Sequence, residues 1–128
     1  MAEYINEEPC EFIYNVTAIE KIVDGDTLDA VIDLGFDVRY CGRVRLLGIN
    51  TPESRTRNLE EKALGLASKE RLKELLPKRF IIRTSKDGKG KFGRILATPI
   101  VDDVDICEQM VSEGFARPYF GGSKEPWT

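Results

Sequence analysis

Histidine is absent from these 128 residues, so a reaction that relies on an imidazole general base is excluded. Cysteine is scarce: Cys10, Cys41 and Cys107 are odd in number and show no Cys-x-x-Cys spacing. That pattern suggests neither a zinc site nor a disulfide framework, and free thiols suit a reducing compartment. No run approaches the roughly 20 apolar residues of a membrane span. The opening Met1-Ala2-Glu3-Tyr4 lacks the basic start and apolar stretch of a signal peptide. A cytoplasmic monomer is therefore expected, without a membrane or a disulfide-linked partner. Positive charge is not in excess either. A formal net charge of -3 and a pI near 5.1 exclude coating of nucleic acid by bulk attraction, so any such partner must meet a local basic surface.

Repeats, linkers and low-complexity tracts are missing as well, and one domain over 1–128 is expected, with its core at about 12–120. Hydrophobic content of 41% beside 32% charge is that of an ordinary globular chain. Phe12 to Val23, with Val16, Ala18 and Ile22 alternating, predicts a first strand. Thr27 to Leu34 predicts a second, with Leu28, Ala30 and Ile32 on its inner face. Leu34-Gly35-Phe36 reads as the hairpin link. Val38 to Ile49 predicts a third strand, in which Arg45 points away from Val44 and Leu46. Asn58 with Glu61 resembles a capping box that opens a helix running to about Leu76, where Pro77 closes it. Ala63, Leu64, Ala67 and Leu75 read as its core stripe. Phe80 to Arg83 and Arg94 to Val101 predict strands around a Gly- and Lys-rich hairpin loop, Ser85 to Gly93. Asp103 or Asp105 caps a second helix that ends at Glu113 with Gly114 as its stop. The fold class expected is α+β, a five-stranded OB-like Greek-key β-barrel with two α-helices.

Three segments carry chemistry. Asp24-Gly25-Asp26-Thr27 places two carboxylates at i and i+2, on one face of an extended chain. Arg45 through Glu53 ends an apolar strand in a polar Asn50-Thr51-Pro52-Glu53 turn. Lys91-Phe92-Gly93-Arg94 sets a second cation at a strand start. Hydrolysis of a phosphodiester adds negative charge as water attacks phosphorus, which calls for cations and a nucleophile made at neutral pH. Asp26 is a candidate ligand for Ca²⁺ or Mg²⁺, with Asp24 as ligand or supporting group. Thr51 offers a carbonyl or a hydroxyl, and Glu53 can orient or deprotonate a water. Arg45 and Arg94 can each grip phosphate oxygens with two prongs. Lys86, Lys89, Lys91 and Arg94 form one candidate basic patch, and Arg55 and Arg57 a second. Tyr119 and Phe120 can stack a base or serve as core or lid residues. Trp127 reads as a tail anchor.

These segments, in this order, resemble the staphylococcal nuclease (thermonuclease) family, whose pattern is Asp-Gly-Asp-Thr, then Arg-(apolar)-Asp-Thr-Pro-Glu, then an aromatic-Gly-Arg. The resemblance runs from about Phe12 to Trp127. It implies that Asp26 binds metal, that Arg45 and Arg94 bind phosphate and that Glu53 activates water. It also implies cleavage of DNA and often RNA, with Ca²⁺ or alternatively Mg²⁺ or Mn²⁺, by a short intracellular member of bacterial or phage type. Asn50 stands where the family has a metal-binding Asp, and Phe92 where it has Tyr. Non-catalytic relatives imply an alternative: an OB-type module that binds nucleic acid or protein through the same face.

Overall fold

The computed structural model describes residues 12–89 and 95–127, with side chains for 12–84 and 95–127. Cys10, Lys91, Phe92 and Arg94, together with the side chains of Lys86 and Lys89, lie outside what is described. Five strands form the frame: β1 (Phe12–Asp24), β2 (Thr27–Gly35), β3 (Val38–Leu46), β5 (Phe80–Lys89) and β6 (Ile95–Val101). The two-residue strands β4 (Ile49–Asn50), β7 (Val104–Asp105) and β8 (Arg117–Pro118) lie between and after them. Helices α1 (Leu59–Leu75) and α2 (Ile106–Ser112) complete the chain.

The sheet order β3-β2-β1-β5-β6 is antiparallel throughout, and a parallel pairing of β3 with β6 joins its two ends. A closed five-stranded barrel results, as the alternating apolar strands predict. Leu28, Ala30 and Ile32 of β2, Val44 and Leu46 of β3, and Ile82 and Ala97 fill its interior. Leu72 of α1 and Ile106 and Met110 of α2 close the core from outside the strands. Each helix begins where an oxygen side chain is available to take its first N–H groups. Asn58 Oδ1 accepts from the Glu60 and Glu61 amides at 3.0 and 3.1 Å, and Asp105 Oδ1 accepts from Glu108 at 3.0 Å. The alternative cap, Asp103, sits instead in a tight turn with Asp102, both at positive φ.

The structure corrects five expectations. Ala18 is exposed and Ile19 packs against the core, because β1 carries register shifts between Val16 and Ala18 and again between Ile19 and Lys21. The third strand stops at Leu46. Gly48 at φ +80° turns the chain, and Ile49–Asn50 pair with Arg117–Pro118 as a separate sheet. The β2–β3 hairpin turns at Phe36-Asp37, both at positive φ, and not at Leu34-Gly35-Phe36. Strand β5 continues to Lys89, through residues expected to belong to a loop. Ala63, Leu64 and Ala67 face solvent, and the buried positions of α1 are Gly65, Ser68 and Leu72. The helix therefore docks through its small residues.

Candidate active site

The residues between β1 and β2 form a turn, not an extended run, and its two carboxylates go to different partners. Asp24 ends β1, and its Oδ1 accepts from both the backbone N–H and the hydroxyl of Ser54. It fixes the segment after β4 and does not join Asp26. Asp26 is 6% exposed and links three parts of the fold. Its carbonyl oxygen accepts from the Leu46 amide at 2.8 Å, at the end of β3. Its Oδ2 accepts from the Thr51 amide at 3.0 Å, just past β4, while Oδ1 accepts from the Thr27 hydroxyl at 2.8 Å. The turn at Leu47-Gly48 is thus gripped on both sides by one residue.

Arg45 completes this arrangement. It is 8% exposed, and its Nη2 lies 3.4 Å from Asp26 Oδ2 while Nη1 donates to the Leu46 carbonyl at 2.9 Å. The Arg45–Asp26 pair has 10% and 9% side-chain exposure. At that burial neither charge can lose its partner cheaply. Thr51 is buried next to this pair, and its Oγ1 has no hydrogen-bond partner among the described residues. A buried hydroxyl without a partner costs about 1–3 kcal/mol unless a water or an ion completes it. Asn50 is also buried, and its register partner is Arg117. Glu53 is exposed, and its N–H donates to Glu61 Oε2 at 3.1 Å.

The first helix holds this loop by contact with its backbone. A Cβ on Gly65 would lie 2.6 Å from the Ser54 nitrogen and closer still to the Glu53 carbonyl. A Cβ on Gly25 would lie 2.8 Å from the Ser68 Cβ and 3.1 Å from the Thr51 Cγ2. Gly25, Glu53 and Ser54 therefore pack on the Gly65–Ser68 face of α1, with Thr51 against Gly25. Ser68 also donates to the Phe115 carbonyl at 2.7 Å, which fastens the chain after α2 to the same face. Gly65, Ser68 and Ser54 were missed by sequence reasoning, and Glu61 was read only as a helix cap. The available signal was two small residues three apart on a helix whose apolar stripe is weak.

The remaining candidates are more dispersed. Tyr119 donates its N–H to the Gly48 carbonyl at 2.8 Å and its hydroxyl to the Gly122 carbonyl at 2.8 Å. Phe120 is 90% exposed, and its Cε1 would lie 3.2 Å from a Cβ on Gly48. It covers the turn from outside and is no core residue. Trp127 stacks on the Arg117 guanidinium, 3.9 Å from the ring centroid, and so ties the tail to the strand opposite Asn50.

A buried arginine–aspartate pair, an orphaned threonine hydroxyl and an Asn-Thr-Pro-Glu turn thus meet at one loop junction. The family of staphylococcal nuclease homologues matches residues 43–126. This chain belongs to that family. It is 34% identical to the thermonuclease of Staphylococcus intermedius, over 80% of this chain and 58% of that protein. It is 32% identical to endonuclease YncB of Bacillus subtilis (strain 168), over 82% of this chain and 48% of YncB. Identity to the SPbeta prophage-derived endonuclease YokF of the same organism is 33%, over 77% of this chain and 32% of YokF. The chain thus spans about half the length of these curated relatives, or less. No described helix is long and apolar enough to cross a membrane.

For a staphylococcal nuclease homologue the donor set for a metal is lean. No group of three or more His, Cys, Asp or Glu side chains gathers among the described residues. Asp26 could supply a carboxylate, and Asn50 and Thr51 could add neutral oxygens. The unpartnered Thr51 hydroxyl is the observation that fits an ion or its water. A hard divalent cation can be held by one or two carboxylates when waters and substrate phosphates supply the other oxygens.

Proposed function

We propose that this chain is a metal-dependent nuclease that hydrolyses phosphodiester bonds of DNA, RNA or both. One observation carries the reading: Arg45 and Asp26 are buried as a pair beside the orphaned Thr51 hydroxyl. A site that only bound strands would need no buried carboxylate close to where phosphate sits, since that charge repels the ligand. Names of the relatives, a thermonuclease and two endonucleases, support the same reaction class.

In this reading Arg45 grips two phosphate oxygens and stabilises the charge that grows on them as water attacks. Arg94 serves as the second cation. Asp26, Asn50 and Thr51 hold the metal, Ca²⁺ or alternatively Mg²⁺ or Mn²⁺, and Asp24 positions the loop through Ser54. The metal, when bound, supplies positive charge and lowers the pKa of a water. Glu53 stands exposed on the same turn, its backbone fixed by Glu61, where it can orient or deprotonate the attacking water. Lys91, Phe92, Tyr119 and Phe120 contact the nucleotides to either side. A cytoplasmic monomer acting on nucleic acid without a membrane is the setting this implies.

The test is cleavage of plasmid and single-stranded DNA and RNA by the purified chain with Ca²⁺, Mg²⁺, Mn²⁺ or excess chelator. Cleavage is expected with at least one ion and none in chelator. Full cleavage in chelator would remove the metal from the mechanism. Binding without cleavage under every ion would favour the non-catalytic module, which the neutral Asn50 supports.

A further inference from the structure

A groove of about 660 Å³ runs between β1 and the C-terminal half of α1 and is lined by four lysines, Lys21, Lys69, Lys73 and Lys78, against a single acid, Glu20. In a chain whose net charge is -3, this is a local reversal of sign. The only carboxylate in register with any of the four is Asp29, opposite Lys21, and Arg43 already holds it with two bonds of 2.9 and 3.2 Å. None of the four ammonium groups has a carboxylate within ion-pair distance among the described residues. Unpaired, clustered cations facing a groove attract a polyanion.

No candidate-site residue lines the groove, but one end of it lies close to the site along the chain. Lys21 lies three residues before Asp24 on the same strand, and Lys69 follows Ser68, the residue packed on Gly25. From there Lys69 and Lys73 are one helical turn apart, about 6 Å along the axis, and Lys78 lies beyond the helix end. The cations are strung out along the helix instead of converging on one point. That geometry suits successive phosphates better than one small anion. The wall behind them is apolar, with Ala18, Ile19 and Leu76. Lysines on flexible stems hold a backbone as point charges and read no base.

We infer that this groove is a track for a single nucleic-acid strand leaving the active site, a sequence-independent contact that sets preference for long substrates over short ones. The inference rests on the nuclease reading only for the direction in which the strand runs. OB-type folds cover about 4–16 nucleotides, so a strand that reaches from the site to Lys78 is of ordinary length.

The test measures binding by fluorescence anisotropy in excess chelator, so that cleavage plays no part. The probes are labelled single strands of about 4 and about 20 nucleotides, a range that brackets such a track. The Lys73→Glu/Lys78→Glu variant should bind the long strand at least tenfold more weakly and the short strand as the unaltered chain does. Its salt slope for the long strand should fall by about 1.4, at roughly 0.7 per single-strand phosphate contact. Lys73→Arg/Lys78→Arg should restore the affinity. Lys62→Glu/Arg39→Glu, which makes the same change of four charges at exposed positions outside the groove, controls for net charge. Equal loss with the control, equal loss on both strands, or no loss overturns the track. A chain that shows the length-dependent loss but cleaves nothing would keep the track and refute the nuclease.

Discussion

Replacing Gly65 by Ala tests the way α1 supports the active-site loop. In an exposed helix interior this change stabilises by roughly 0.5–1 kcal/mol, because alanine loses less backbone entropy on folding. At Gly65 the new methyl would meet the Ser54 nitrogen at 2.6 Å and the Glu53 carbonyl closer still. Both are backbone atoms, so no side chain can swing away. Restoring ordinary contact at about 3.5 Å means moving loop and helix apart by about 1 Å. Overpacking of this kind costs typically 1–3 kcal/mol. Subtracting the helix gain leaves a net loss of about 0.5–2 kcal/mol, with a fall in Tm of roughly 2–10 °C for a chain of this size. The displaced loop carries Thr51, Glu53 and Ser54, so metal affinity and turnover should fall as well. Urea unfolding, together with cleavage assays well below the variant's Tm, measures both. A variant more stable than the original would refute the direct contact between helix and loop.

Four more outcomes are expected. Asn50→Asp places a second carboxylate near Asp26, so the variant should be less stable without metal. It should bind Ca²⁺ at least tenfold more tightly, about 1.4 kcal/mol; calorimetry showing equal or weaker affinity would remove residue 50 from the metal site. Arg45→Ala should cost about 3–5 kcal/mol of stability by leaving Asp26 buried and unpaired. Arg45→Lys should fold yet lose on the order of 10²–10³ in kcat, because a point charge lacks the two-pronged grip; near-normal turnover would refute the phosphate role. Glu113 is held at a pKa of about 2 by Arg71, which binds it from α1 at 2.6 and 2.9 Å, and by Gln109. A lowered folded pKa gives stability that is complete above the unfolded value of 4.5 and is lost as pH falls toward 2. Denaturant midpoints should therefore drop less over that window in Glu113→Gln than in the original chain.

Much of the barrel was legible because β2 and the inner half of β3 alternate cleanly, and both helix starts because Asn58 and Asp105 are good caps. The face of α1 was not legible. Its partner is a loop backbone that admits only small side chains, so burial falls on Gly65 and Ser68 while Leu64 and Ala67 face water. Hydrophobic periodicity cannot signal that. Likewise, the shifts that expose Ala18 arise from twisting a long strand around a barrel, and no local pattern records them. At the site, Asp26 and Arg45 could be named from their residue types and their order along the chain. The link from Asp24 to Ser54, across 30 residues, could not, because serine is too common in loops to stand out.

The parallel seam between β3 and β6 bears on how the molecule comes into being. Arg45 lies in that seam, in register with Leu96. Until β6 arrives, the strand carrying this arginine has one open edge, and about three quarters of the chain must already be made to supply its neighbour. Contacts so distant in sequence form slowly, since the intervening loop must first lose its freedom. Asn50 waits longer still, because its partner strand ends at Pro118. During synthesis from the N-terminus, the bonds of the Arg45–Asp26 pair can form within residues 26–51, and the side that β6 closes is therefore added late.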